Sequence, residues 1–174
     1  MFTIRPTQLS DINQLAIIEH SAAQLFCLIP ELAWISDGHV QTEQQHSGYI
    51  AQHNSWVAIN HKGIPVGFIL AKPLEDGLHI FELSVHGDWQ RKGIGKKLME
   101  TVIQVAEQRQ LQSVTLTTFR SILWNAPFYQ KLGFVILEPQ EMSEELQQIL
   151  QGEIEYGFSA EQRCAMKRPL RPCF

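Results

Sequence analysis

Residues 79–106, HIFELSVHGDWQRKGIGKKLMETVIQVA, constrain the fold more than any other stretch of the chain. Residues 79–85 are short, apolar and flanked by Asp76-Gly77 and Gly87-Asp88, which is the pattern of a buried strand. From Ile94 the apolar residues Ile94, Leu98, Val102, Val105 and Ala106 recur at helical spacing, so a helix starts close to Gly93. Between strand and helix lies Gln90-Arg91-Lys92-Gly93-Ile94-Gly95-Lys96. Two glycines let the backbone approach a bulky anion, and the first turn of a helix leaves N–H groups without partners. The helix dipole and the cations Arg91, Lys92, Lys96 and Lys97 act in the same sense. Such a loop is built to hold a pyrophosphate, whereas a plain glycine-rich turn would need no such run.

Other phosphate motifs fit less well. A P-loop needs four residues between its glycines and a Lys-Ser/Thr pair, and a dinucleotide fingerprint needs a third glycine where this chain has Leu98. The pattern Q/R-x-x-G-x-G/A after L-x-V, met here by Leu83-Ser84-Val85 and Gln90 to Gly95, resembles the acyl-CoA signature of the GCN5-related N-acetyltransferase (GNAT) family. Asn125-Ala126-Pro127-Phe128-Tyr129-Gln130-Lys131-Leu132-Gly133-Phe134 resembles that family's second conserved block, and TLTTFRSILWNAPFY is similar to uncharacterised bacterial members. The resemblance implies a single N-acetyltransferase domain over residues 1–174, with a mixed, mostly antiparallel sheet of about seven strands flanked by helices. It further implies acetyl-CoA as co-substrate, held in a cleft between the central strand and the strand after the long helix. Backbone groups of Leu83, Ser84 and Val85 would meet the pantetheine and thioester. Gln90, Arg91, Lys92, Gly93, Ile94, Gly95 and Lys96 would take the phosphates.

Composition excludes several alternatives. With 174 residues and 44% hydrophobic content, the chain suits one domain with a full core. A globule of this size buries roughly 70% of its unfolded surface. A net charge of −4 argues against a general nucleic-acid or acidic-membrane binder. No apolar run approaches the roughly 18 residues of a membrane span. The N-terminus lacks a signal-peptide layout. Cys27, Cys164 and Cys173 are odd in number and widely spaced, as expected of reduced thiols in a cytoplasmic protein.

Along the chain, residues 2–5 read as a strand stopped by Pro6. Thr7 or Ser10 caps a helix with Leu9, Ile12, Leu15, Ala16, Ala22, Ala23 and Phe26 on one face. Pro30, Gly38 and Gly48 punctuate a weakly patterned region that holds a second short helix. Residues 55–60 and 65–71 flank His61-Lys62-Gly63 as a hairpin, and with residues 79–85 form an antiparallel meander. Residues 114–119 are a strand, and Asn125 starts a short helix ended by Gly133. Residues 134–137 form a strand, residues 143–151 a helix, and residues 164–170 close the sheet.

Several side chains are suited to chemistry. By resemblance, Tyr129 matches a tyrosine that donates a proton to the departing CoA thiolate, a task suited to a phenol with a pKa of about 10. A core aromatic with a satisfied hydroxyl is the alternative. Asn125 caps its helix, contacts the pantetheine or orients Tyr129, and one residue can combine these. The general base is open. Strand alternation puts His79, Phe81, Leu83 and Val85 on one face and Ile80, Glu82 and Ser84 on the other, so His79 and Glu82 are rival candidates. Trp34 and Asp37 fall in a region that lines the acceptor pocket in this family, where an indole can stack on the acceptor and a carboxylate can pair with its ammonium. A loop anchored by a buried Trp34, with Asp37 in an Asp-Gly turn, competes with that role. His39, His46 and His53 are evenly spaced but across Gly48, and read as a solvated face rather than a metal site. No cysteine pair has zinc spacing, so no metal is expected.

The function these features imply is direct transfer of an acetyl group to a primary amine in a ternary complex, since no cysteine lies in either motif block for an acyl-enzyme. A non-catalytic acyl-CoA sensor is the alternative, and Tyr129 argues against it because a pure binder needs no proton donor. A longer acyl chain is compatible with the same motifs. The acceptor is a small-molecule or protein amine, and the assembly a monomer or homodimer.

Overall fold

A computed structural model describes residues 1–75 and 77–171. Asp76 of the expected turn and the thiol of Cys173 lie outside the described residues. The strands are β1 (Phe2–Pro6), β2 (Ser55–Asn60), β3 (Pro65–Leu74), β4 (Gly77–Val85), β5 (Ser113–Phe119), β6 (Val135–Ile136) and β7 (Arg163–Pro169). They form one seven-stranded sheet in the order β1-β2-β3-β4-β5-β7-β6. The helices are α1 (Ile12–Ala23), α2 (Glu43–Ala51), α3 (Ile94–Gln108), α4 (Ala126–Gln130) and α5 (Glu144–Tyr156). The sheet is mixed, because β4 and β5 run parallel while β1–β2, β2–β3, β5–β7 and β6–β7 are antiparallel. The expected α/β class and strand number hold. The last strand, β7, joins the sheet between β5 and β6, which leaves β6 at the edge.

By internal contacts the chain comprises two compact units, and each is described by itself. The first contains Met1–Ala71 and Glu82–Val102. Here β1 is an edge strand, so Pro6 stays within it opposite Trp56, its missing N–H costing no ladder bond. Neither Thr7 nor Ser10 caps α1. A short 3₁₀ turn at Leu9–Asp11 comes first and shifts the helical phase, leaving Leu9 exposed while Ile12, Leu15 and Ile18 are buried. Arg5 donates to both Asp11 oxygens, at 2.7 and 2.9 Å. Against the desolvation of burial, Arg5 and the Gln8 amide hold the Asp11 carboxyl below its ordinary value.

Leu15 and Ile18 of α1 pack with Val57, Phe68 and Leu70 of the sheet, with Tyr49 of α2 against them. Fully burying side chains of this kind stabilises by about 1.5–3 kcal/mol each. A 3₁₀ segment at Pro30–Asp37 precedes α2, whose N-terminus is a Thr42–Gln45 capping box. The weakly patterned region thus holds one 3₁₀ helix and one α-helix.

The second unit contains Lys72–Phe81 and the chain from Ile103 on. Ser143 caps α5 by accepting the Leu146 N–H, and Leu146 packs with Leu137 and Ala165. The Arg163 guanidinium lies over the rings of Phe119 and Phe158, at 4.7 and 4.9 Å, and pairs with Glu153 at 3.0 Å. Such a sandwich keeps the charge paired where β5, β7 and α5 meet. Among the described residues no helix is long and apolar enough to cross a membrane.

Candidate active site

The loop between β4 and α3 is held by its own chain. The Gln90 side chain donates to the Val85 carbonyl at 3.0 Å, stapling the loop to the strand end. The Gly87 amide is held by Ser21 of α1 at 2.9 Å. Lys92 donates to the Asp88 carbonyl at 2.9 Å and lies 4.7 Å over the Trp89 ring. Gln90 and Lys92, expected as ligands, therefore have structural partners, whereas Arg91 makes no ion pair among the described residues. Arg91 and Gly93 are both left-handed, with φ of 60 and 82°. For an arginine this conformation is uncommon and mildly strained, which fits a loop fixed for a task. A Cβ built at Gly93 meets no protein atom within 4 Å, so the space beside it is open.

The helix starts at Ile94, as expected, and its first hydrogen bond runs from the Lys97 N–H to the Gly93 carbonyl. The N–H groups before it point outward from the helix end without intrahelical partners. Ile94, Leu98, Met99 and Val102 are buried, fixing the helix axis. At Gly67 a Cβ would come 3.0 Å from Ile94 Cγ2 and 3.2 Å from the Ser84 carbonyl, so glycine there lets α3 seat closely on β3. Lys96 and Lys97 each stand 3.7 Å from Glu100, an exposed arrangement worth little in stability. Backbone donors, a dipole and exposed cations together fit a polyphosphate.

On β4, His79 and Glu82 have different surroundings. His79 is 1% exposed and shares a hydrogen bond with Thr115 Oγ1 at 2.9 Å. Burial, with the Lys72 charge, pulls its pKa to about 4. Glu82 is partly exposed and accepts from Ser84 Oγ at 2.7 Å, so these two share a side of the strand as alternation requires. Leu83 and Val85 are partly buried.

Asn125 is the N-cap of α4, but through its carbonyl, which accepts from Phe128 and Tyr129. Its side chain does not cap; the Oδ1 accepts from Thr118 Oγ1 at 2.6 Å. Tyr129 is partly buried, with its ring edge-on to Phe128 and Phe134 at 5.1 and 6.1 Å.

Trp34 is 41% exposed, so it is not the buried anchor of its segment; Leu32 and Ser36 are. Asp37 is exposed and ends the 3₁₀ helix. The even histidine spacing does not make a solvated face either. His39 and His53 are exposed, but His46 is 1% exposed, packs edge-on to Phe68 at 5.4 Å, and among the described residues has no hydrogen-bond partner on either ring nitrogen. Among the described residues no group of three or more His, Cys, Asp or Glu could hold a metal ion.

One residue escaped the sequence reading. Glu19 on α1 accepts from the Gln41 amide at 2.9 Å, and burial together with the Glu82 charge raises its carboxyl to about 7. A mid-helix glutamate looks solvated in sequence; only the three-dimensional approach of Glu82 marks it.

Comparison with known proteins agrees with this geometry. A family model described as Acetyltransferase (GNAT) family matches residues 20–134. Mouse N-acetyltransferase family 8 member 3 is 33% identical over 94 residues, covering 49% of this chain and 41% of the relative. The probable N-acetyltransferase camello of Xenopus laevis is 36% identical over 93 residues, covering 51% of this chain and 42% of the relative. These alignments thus span about two-fifths of the relatives' length. Among solved structures, the ribosomal-protein-S18-alanine N-acetyltransferase of Escherichia coli superposes with a TM-score of 0.69 at 18% identity, covering 100% of this chain and 97% of that one. The paia N-acetyltransferase of Thermoplasma acidophilum, solved with coenzyme A, gives 0.71 at 15% identity, with 98% and 99% covered. At such identities the structural likeness is one of fold.

Proposed function

The chain belongs to the acetyltransferase (GNAT) family, and on that premise we propose that it moves an acetyl group from acetyl-CoA to a primary amine by direct transfer in a ternary complex. The observation that carries the reading is the loop before α3, with left-handed Arg91 and Gly93, open space beside Gly93 and the helix N-terminus that follows at Ile94, an end that offers N–H groups without intrahelical partners. Gln90 and Lys92 hold the loop in shape, while Arg91, Lys96 and the amides of Gly93, Ile94 and Gly95 receive the phosphates. Acetyl-CoA, when bound, supplies the thioester carbon. The backbone of Leu83, Ser84 and Val85 orients it.

An acceptor amine with pKa near 10.4 is only about one part in 10³ neutral at pH 7, a handicap of roughly 4–5 kcal/mol. A base must therefore take up one proton. Of the two candidates, Glu82 suits the task better than His79. A buried imidazole with a pKa of about 4 binds an ammonium proton poorly, and its ring is engaged with Thr115. Tyr129 acts as the acid that protonates the departing thiolate, and Asn125, tied to Thr118, fixes the start of its helix. Trp34 and Asp37 are exposed on the segment before α2, and in this reading they contact the acceptor.

A panel of primary amines with acetyl-CoA, read by thiol release and by mass spectrometry of the amide, tests this reading. Amide formation supports it. Tight acetyl-CoA binding with no amide from any amine would leave a CoA-binding sensor instead.

A further inference from the structure

We infer that the cavity beneath the start of α5 is a binding site for a small aliphatic carboxylate, with Lys167 receiving the carboxylate and Leu137, Met142 and Leu146 the chain. The site is separate from the donor loop and does not depend on the acyl-transfer reading.

The cavity has a volume of about 250 Å³, and its described lining lies wholly within the second unit. It stands at the beginning of β4 and β5, at Gly77 and Ser113, whereas the donor loop follows the end of β4 at Val85. Strand register sets its floor. Gly77 pairs with Ser113, His79 with Thr115, and Thr115 with Lys167, so all of these share one face of the sheet. A Cβ at Gly77 would stand 2.1 Å from the Ser113 carbonyl oxygen, so only glycine lets the strands pair here. At that point β4 therefore puts no side chain into the space. The rest of the wall is apolar: Leu74 of β3, Met142, and the buried Leu137 and Leu146, which pack with Ala165.

Lys167 is the charge that selects the ligand. It lines the cavity, is half-buried, and makes no ion pair among the described residues. A cation drawn partly out of water without a counter-charge is costly, and an anion in the cavity relieves that cost. The lining does not supply the anion itself. Glu141 is the one carboxylate among the described lining residues; it is exposed, and its Oε2 accepts from the Glu138 amide at 2.7 Å within its own turn. The Ser143 hydroxyl is likewise committed, to the Leu146 N–H that it caps.

Thr115 supplies a second polar group. Its Oγ1 shares a hydrogen bond with Nδ1 of the buried His79 at 2.9 Å. With the imidazole proton on Nδ1, Thr115 accepts it, and its own O–H is left to donate to a carboxylate. A cation, a hydroxyl donor and an apolar wall around one concave space are the complement of a small acid with an aliphatic chain. An alcohol would leave Lys167 without a counter-charge, and an alkylammonium would be repelled by it. The volume equals that of roughly eight water molecules at about 30 Å³ each, room for a chain of about six carbons with its carboxylate.

Hexanoate, hexanol and hexylamine, titrated into the whole protein and read by the methyl carbon-13 resonances of Leu137, Met142 and Leu146, provide the test. Hexanoate should move those resonances with a dissociation constant on the order of 1 mM, with acetyl-CoA present or absent. Hexanol and hexylamine lack the charge pair and should bind at least about tenfold more weakly. Butyrate, shorter by two methylenes, should bind roughly 15-fold more weakly, at about fourfold per buried methylene. Lys167→Met keeps the apolar stem without the charge and should cost at least about tenfold in hexanoate affinity, which Lys167→Arg should largely restore. Unmoved resonances at about 10 mM hexanoate, or undiminished affinity in Lys167→Met, overturn the inference. Equal binding of hexanol would make the cavity a plain apolar hole, and tighter binding of hexylamine would give it to Glu141; either result overturns the carboxylate site. Displacement of hexanoate by acetyl-CoA would put the acid in the donor site and overturns it too. Should Lys167→Met fail to fold, the ranking of the four ligands on the parent decides alone.

Discussion

The proposed donor loop and the proposed acceptor side of the site face different problems and would solve them by different means. The loop works through backbone: the amides at the start of α3, left-handed Arg91 and Gly93, and the Gln90 staple onto Val85 all lie within a dozen consecutive residues. The groups proposed for the acceptor side are side chains far apart in sequence, with Trp34 and Asp37 before α2 and Glu82 on β4. A phosphate chain has the same shape whatever the acceptor, so a local backbone cradle serves it. An ammonium must be recognised and deprotonated by charges drawn from several elements. The first kind of site is written as a motif; the second is not.

The largest effect that would test this division is in the acid. Tyr129→Phe keeps the ring between Phe128 and Phe134 and so should change stability little. Loss of the hydroxyl should lower kcat on the order of 10²-fold, within the usual range for a positioned proton donor, with acetyl-CoA affinity within a few-fold of the parent. Steady-state kinetics beside calorimetry would show this. A parental rate would make Tyr129 a packing residue and send proton delivery elsewhere.

The side-chain cations of the loop should matter much less. Lys96 is exposed and near Glu100, so Lys96→Ala should weaken acetyl-CoA binding only a few-fold, and the difference should shrink as salt screens it. A loss of 10²-fold would mean that the lysine, not the backbone, holds the phosphates.

The smallest expected effect concerns stability on the acceptor side. His46 is buried with both ring nitrogens unpartnered among the described residues, and burial depresses its pKa. The unfolded chain therefore binds a proton below about pH 6.5 that the folded chain refuses, so His46 costs stability increasingly as pH falls. His79, at about 4 in the fold, acts in the same direction over the window between that value and the unfolded one. His46→Leu should raise unfolding stability by about 1 kcal/mol at pH 7, by removing the unsatisfied nitrogens, and by more at pH 5. Urea titrations at the two pH values measure it. Equal gains at both would mean the folded protein accepts the proton.

What was legible in the sequence follows the same division. The strand–loop–helix over 79–106 has periodicity, glycines and flanking turns in one window, and its helix begins at Ile94 as read. Ser143 was visible as a helix start because capping is local. The position of β7 between β5 and β6 was not legible, since strand order depends on partners distant in sequence. Residue type alone suggests Asn125 as a side-chain cap, yet Thr118 takes the same oxygen. Apolar spacing alone puts Leu9 on the buried face of α1, because nothing local announces the 3₁₀ turn that rotates it outward. Trp34 and His46 exchanged their expected roles, the indole exposed and the imidazole buried, because packing of the segment between α1 and β2 is decided by what covers Phe68 and Leu32. Glu19 carried no signal at all until Glu82 approached it.

The central claim is that backbone at 90–96 holds the donor, and Gly93→Val tests it most directly. Gly93 has a φ of 82° with open space where a Cβ would stand, so a branched residue there would both strain the loop and occupy the ligand's side. Calorimetric titration of acetyl-CoA in EDTA, into parent and variant of matched unfolding midpoint, should show binding by the parent without metal. Affinity in the variant should be at least about tenfold weaker, from the strain of a left-handed β-branched residue alone. Unchanged affinity in Gly93→Val would contradict the assignment of this loop as the donor site.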